Sequence, residues 1–151
     1  MLDRTRAYTQ SFPQGYGKPN GFWVSVAGEE DWPTWCRDED FEISRLAVEY
    51  AVTLADGANV LRIENHYDID EFYEQYAVET ERERRYGIGP GKSWPIDWRA
   101  VTEHYDGIII APYQLARRYS MGWYYGWDCA SGCIWNLDAI APLTVTSAVS
   151  A

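Results

Sequence analysis

A chain of 151 residues, 46% hydrophobic and 16% aromatic, is too apolar for disorder and long enough to bury a core without staples, so one domain over 1–151 is expected. Its formal net charge of -10 works against binding to nucleic-acid phosphates or an anionic membrane and favours a basic partner. No stretch reaches the ~20 apolar residues that span a bilayer, "MLDRTRAYTQ" lacks the apolar run of a signal peptide, and a chain this long with 3 cysteines needs no disulfide, which points to a cytoplasmic protein with reduced thiols.

In chain order, "RAYTQS" (6–11) alternates weakly and "FWVSVA" (22–27) strongly, predicting two strands joined by the loop "FPQGYGKPN". In "EDWPTWCRDEDF", Asp31 is a natural N-cap, Pro33 falls in the first turn, and Trp32, Trp35 and Cys36 recur at helical spacing, so a helix follows. "LAVEYAVTLADGANVLRI" reads as strands over 46–54 and 59–63, and the Asp-Gly pair between them predicts a hairpin.

Asp68 and Glu71 form a capping-box pattern, after which Ile69, Phe72, Tyr73, Tyr76 and Ala77 share one helical face. The charged run and glycines of "ETERERRYGIGPGKSWP" predict a long mobile loop over 80–94. A further helix carries Trp98, Val101 and Tyr105. "YDGIIIAPY" has the continuous apolar run of a buried strand, "SGCIWNL" reads as another strand, and "APLTVTSAVSA" is a last strand or a frayed tail. The expected fold class is α+β, two packed antiparallel-rich sheets with flanking helices.

Several motif-like stretches carry little chemistry. "GIGPGKS" ends like a phosphate-binding loop, but Gly87 stands one residue too near Gly91, no strand leads in, and Pro95 interrupts the helix that should follow. Cys129 and Cys133 lack the second ligand pair of a structural zinc site, so no metal is expected. Cys129, Asp128 and His104 admit a nucleophile-and-base reading, but packing of Cys133 in a strand and Cys129 in the turn before it is the plainer one. The acidic runs 29–31 and 38–40 read as helix caps and solvated faces. Trp123, Tyr124, Tyr125 and Trp127 are four large rings in five positions, more than one side of a strand or helix accommodates, which predicts that some line a cleft or an interface.

The order of "AYTQS", "GFWVS" before a Trp-rich helix, "YDGIII" and "SGCIWNLDAI" resembles the layout of small ADP-ribosyltransferase-fold proteins, in which two packed sheets form a cleft for NAD. The chain is also similar to small proteins of actinobacteria and their phages. The first resemblance implies NAD as cofactor, a macromolecular target, and site residues on three strands. The first strand supplies an NAD-holding His or Arg, for which Arg6 is the nearest match beside Tyr8 and Thr9. The second supplies Ser25 against the nicotinamide end. The third carries in the family a Glu that stabilises the oxocarbenium-like charge. Here that position is Ser131, and Asp128 is the nearest carboxylate in sequence, so the catalytic positions are Ser131 and Asp128, with Trp127 stacking on the ligand. The other class of function in view is a non-catalytic acidic and aromatic binding protein, such as a phage protein that occupies a basic site on a host or defence protein.

Overall fold

The computed structural model describes residues 2–13, 16–91 and 93–148. Its strands are β1 (Phe22–Ser25), β2 (Val48–Ala51), β3 (Val60–Ile63), β4 (Gly107–Ile110), β5 (Ser131–Ile134) and β6 (Thr144–Ala148). Its helices are α1 (Trp32–Asp38), α2 (His66–Tyr76), α3 (Glu81–Tyr86), α4 (Trp98–Thr102) and α5 (Leu115–Arg118), with short 3-10 turns at Ile43–Ala47, Gly122–Tyr124 and Leu137–Ala139. The fold is α+β, with a four-stranded sheet in the order β1-β5-β4-β3 and a two-stranded sheet of β2 and β6. Pairing is antiparallel except between β3 and β4, whose parallel register requires the long crossover through α2, α3 and α4.

The central strands are the apolar runs. β4 and β5 occupy the middle of the larger sheet, and all four residues of β5 are buried. Cross-strand partners share a face, so the register sorts each strand into two sets. Trp23, Cys133, Ile108 and Leu61 lie on one face, together with Ser25, Ser131, Ile110 and Ile63. This face packs against α2, α4 and the Gly122–Tyr124 turn through Ile69, Phe72, Trp98, Val101, Trp123 and Trp127. The opposite face carries Phe22, Ile134, Gly107 and Val60, and Val24, Gly132, Ile109 and Arg62. One end of it is covered by Leu137, Ile140, Val52 and Leu54. Among the described residues no helix is long and apolar enough to cross a membrane.

Several expectations are corrected. The segments around "ADGAN" do not form a hairpin: β2 pairs with β6 and β3 with β4. The turn itself forms, with Ala58 N–H donating to the Ala55 carbonyl and Gly57 at φ 78, but the flanking segments leave it toward distant partners, so local turn chemistry does not decide the pairing. Residues 46–47 belong to a 3-10 turn rather than to β2. Residues 6–11 form no strand; they are tied to Asn20 by the Gln10 side chain and by Asn20 Nδ2 donating to the Thr9 carbonyl.

The span 80–94 contains α3 instead of being loop throughout. Thr80 and Glu83 form its capping box, and Gly87 ends it in the left-handed conformation at φ 64. Beyond it, Trp94 donates to the Ile88 carbonyl and Tyr73 Oη to the Pro90 carbonyl. Lys92 of the phosphate-loop-like stretch, and residues 149–151 of the terminal segment, lie outside the described residues. α2 is capped by Asn65, whose Oδ1 accepts from Asp68 N–H, with Asp68 in the first turn rather than at the cap. α1 is as its sequence predicts, with Asp31 Oδ1 accepting from Thr34 N–H at 2.9 Å.

Candidate functional site

The alternation of β1 and β5 places Ser25 directly across from Ser131 on the helix-covered face. At that end of the sheet a pocket of about 320 Å³ opens, lined by Lys18, Trp23, Ser25, Trp32, Trp127, Asp128, Cys129 and Ser131. Its volume lies within the range of small-molecule sites. Lys18 reaches it from the N-terminal segment, with Nζ 5.1 Å from the centroid of the Trp23 ring. Trp32 enters because Asp31 starts α1 immediately before it.

The two hydroxyls are differently committed. Ser25 Oγ accepts from Trp32 N–H at 2.8 Å and so keeps its proton for a ligand. Ser131 donates to the Cys129 carbonyl at 3.0 Å, leaving lone pairs to accept. Among the described residues, Asp128 is the only carboxylate lining this pocket. Its Oδ1 receives Arg118 Nη2 at 3.1 Å, and Arg118 Nη1 donates to Tyr113 Oη at 3.2 Å.

A second pocket, of about 420 Å³, is lined by Arg6, Tyr8, Thr9, Asn20 and Trp23, so the two share the Trp23 side chain. The structure therefore gathers Ser25, Ser131, Trp127 and Asp128 around one pocket and puts Arg6, Tyr8 and Thr9 around its neighbour. Arg6 is stacked 5.0 Å from the Tyr8 ring centroid. Lys18 and Trp32 were not anticipated from the sequence. Trp32 was readable as the residue after an N-cap, while Lys18 sits in a loop whose path nothing local specifies.

Most of the aromatic cluster is core, and one of its rings, Trp127, lines the pocket, as expected of some of its members. Trp123, Tyr124 and Trp127 are buried core, and only Tyr125, 55% exposed, reaches solvent. Strand or helix spacing cannot turn three such rings inward, but the 3-10 turn at Gly122–Tyr124 and the irregular stretch after it can. Trp127, 1% exposed, is thus the floor of the pocket, with Trp23 edge-on to it at 4.8 Å between ring centroids.

The thiols are unbridged and buried. Burial pushes Cys129 up to about 11 and Cys133 up to about 12, so neither is a nucleophile near neutral pH. His104 packs toward Tyr76, 6.2 Å between ring centroids, and is not among the residues that line the Cys129 pocket. No group of three or more His, Cys, Asp or Glu among the described residues is placed to hold a metal. In comparisons with protein-family models, curated proteins and solved structures, nothing matches this chain.

Proposed function

We propose that this chain is an ADP-ribosyltransferase-like protein that takes NAD with its nicotinamide end in the tryptophan-lined pocket and its remaining length toward Arg6, Tyr8 and Thr9. The observation that carries this reading is the cross-strand pair Ser25 and Ser131, one hydroxyl with a proton to give and one with a lone pair to offer. A carboxamide presents the complementary pair, a carbonyl oxygen and an amino group, on a flat ring suited to a site walled by Trp23 and Trp32.

In the reaction this implies, the bond between the ribose C1′ and the nicotinamide nitrogen breaks and neutral nicotinamide leaves with the bonding electrons. A nucleophile of the target protein then bonds to C1′ and gives up its proton. Asp128 is the pocket's carboxylate for the cationic C1′ in that step. Its pairing with Arg118 offsets part of its charge, which makes slow turnover the expected outcome.

The test is thermal denaturation with NAD and with its nicotinic-acid counterpart, alongside an assay of nicotinamide release. NAD should raise the melting temperature and the carboxylate analogue should do so less. Ser25→Ala and Ser131→Ala should each weaken the effect, and Asp128→Asn should slow release. No stabilisation by NAD would sink the reading. A second reading, a non-catalytic binding protein, is favoured by one observation: Tyr119 and Tyr125 are 79% and 55% exposed around Arg118, which stacks on both, and tyrosine and arginine are enriched in binding hot spots. Retained binding to a target protein with no response to NAD would bring that reading forward.

A further inference from the structure

The formal charge of -10 is spread unevenly along the chain: residues 4–28 contain no Asp or Glu, while Arg4, Arg6 and Lys18 fall among them. Two of these cations stand over rings of the same segment, Arg6 Cζ 5.0 Å from the Tyr8 centroid and Lys18 Nζ 5.1 Å from that of Trp23. Arg99 of α4 adds a third such pair, with its Cζ 4.8 Å from the Phe12 centroid. Arg6 and Lys18 form no ion pair among the described residues. Three carboxylates that approach this group are already engaged: Asp3 accepts from the Thr5 N–H and hydroxyl, Asp97 offsets Arg99 at 3.7 Å, and Asp128 pairs with Arg118 at 3.1 Å.

The three pairs lie along one continuous surface. A third pocket, of about 350 Å³, is lined by Phe12, Lys18, Asn20 and Trp98 among others. It shares Lys18 with the tryptophan pocket and Asn20 with the Arg6 pocket, and those two share Trp23. Among the described residues, neither the Arg6 pocket nor the Phe12 pocket has a carboxylate in its lining. Phe12 and Trp23 are 42% and 38% exposed, so both rings are within reach of a ligand. The hydrogen bonds that tie Asn20 to Thr9 and Gln10 hold the two limbs of the segment together, and the surface is formed before anything binds to it.

We infer that this surface binds a single strand of nucleic acid. Each pair sets a positive charge beside a flat apolar ring, and a nucleotide presents the complement, a phosphate beside a base. An acidic peptide would match the charges without using the rings, and a duplex keeps its base faces inside the stack. The net charge does not forbid such a ligand: the Debye length at physiological salt is about 8 Å, so acidic groups farther off repel weakly while the cations along the surface meet the phosphates directly. A complex that neutralises phosphates with Arg6, Lys18 and Arg99 is salt-sensitive, its log affinity falling by about 0.7 per phosphate for each decade of salt. This inference does not depend on NAD binding, and since both ligands would meet Arg6 and Tyr8, they compete there.

The test uses the whole chain, free of NAD, and the fluorescence anisotropy of a labelled oligothymidylate of about twelve nucleotides, within the site sizes of single-strand-binding folds. A duplex of the same length and polyglutamate serve as comparison ligands. The oligothymidylate should bind and weaken as salt is raised, and the other two should bind at least about tenfold more weakly for want of stacking. Phe12→Ala should weaken oligothymidylate binding at least about fivefold. Arg6→Gln and Lys18→Gln should each reduce the salt slope by about 0.7; both change exposed side chains and keep the test standing should Phe12→Ala fail to fold. No binding of the oligothymidylate, duplex or polyglutamate bound as tightly, unchanged affinity in folded Phe12→Ala, or an unchanged salt slope in both glutamine variants would each overturn the inference. Oligothymidylate binding in a protein that gives no thermal response to NAD would uphold it while sinking the NAD reading.

Discussion

The helix-covered face of the large sheet and the face turned to the small sheet are built from alternate residues of the same strands, yet they differ in what they can give up. Ile108, Ile110, Ile63 and Cys133 on the first are at most 1% exposed, locked among tryptophans. Val24, Ile109 and Arg62 on the second border an open cleft. Period-two alternation lets a four-residue strand serve a rigid core and an accessible surface at once, and substitutions at neighbouring positions should therefore differ sharply in cost.

The largest effect is expected at Trp123→Ala and Trp127→Ala, each lowering the unfolding free energy by about 3–5 kcal/mol in urea titrations. Val24→Ala on the open face should cost well under half of that. Equal losses would erase the distinction between the faces. Gly132→Ala comes next. A Cβ there would stand 2.6 Å from the Ile108 carbonyl oxygen and 2.7 Å from Ile109 Cγ1, and overpacking between two central strands should cost about 1–3 kcal/mol, read by the same titration.

The capping box of α3 supports a smaller effect, about 1 kcal/mol for Thr80→Ala, with proteolysis in 80–94 appearing in the variant before the parent. Glu83 couples this helix to pH. Burial opposes its ionisation, but hydrogen bonds from Thr80, its own backbone and Arg82 outweigh that and hold the carboxyl below its ordinary value of 4.5. A carboxylate so depressed contributes its full stability above pH 4.5 and loses it as pH falls through the folded-state value. Melting curves of the parent should show that acid loss, and those of Glu83→Gln should lack it. The smallest effect is on the thiols. At pH 8, alkylation of Cys129 and Cys133 should be negligible until the protein unfolds, and rapid labelling of the native state would show that the helix-covered face opens.

What could be read from the sequence was what neighbours determine. α1 and α2, and the buried strands β4 and β5, follow from caps, helical spacing and apolar runs within a few residues. α3 was also legible, since "TERE" carries the capping box and Glu81 pairs with Arg85 at 2.9 Å one turn on. Reading the charged run as loop overlooked its alternating signs. The hairpin failed because Leu54 bridges to Ile140 rather than turning back on β3, a choice made by residues far along the chain. For the site, residue types were visible while convergence was not: the register that sets Ser25 across from Ser131 belongs to two strands on opposite sides of the crossover.

That crossover has a consequence for how the chain is made. Among the described residues, no strand that ends before residue 64 pairs with another from the same half: β1 waits for β5, β2 for β6 and β3 for β4. A ribosome that has delivered the chain as far as α4 therefore holds three unpaired strands, among them "FWVS" and "VLRI", with no sheet for them to join. Such non-local pairing slows folding and leaves sticky edges open to other nascent chains. Assembly of both sheets is thus a late event in the life of each molecule, and a transcript cut short before β5 would yield an insoluble fragment instead of half a domain.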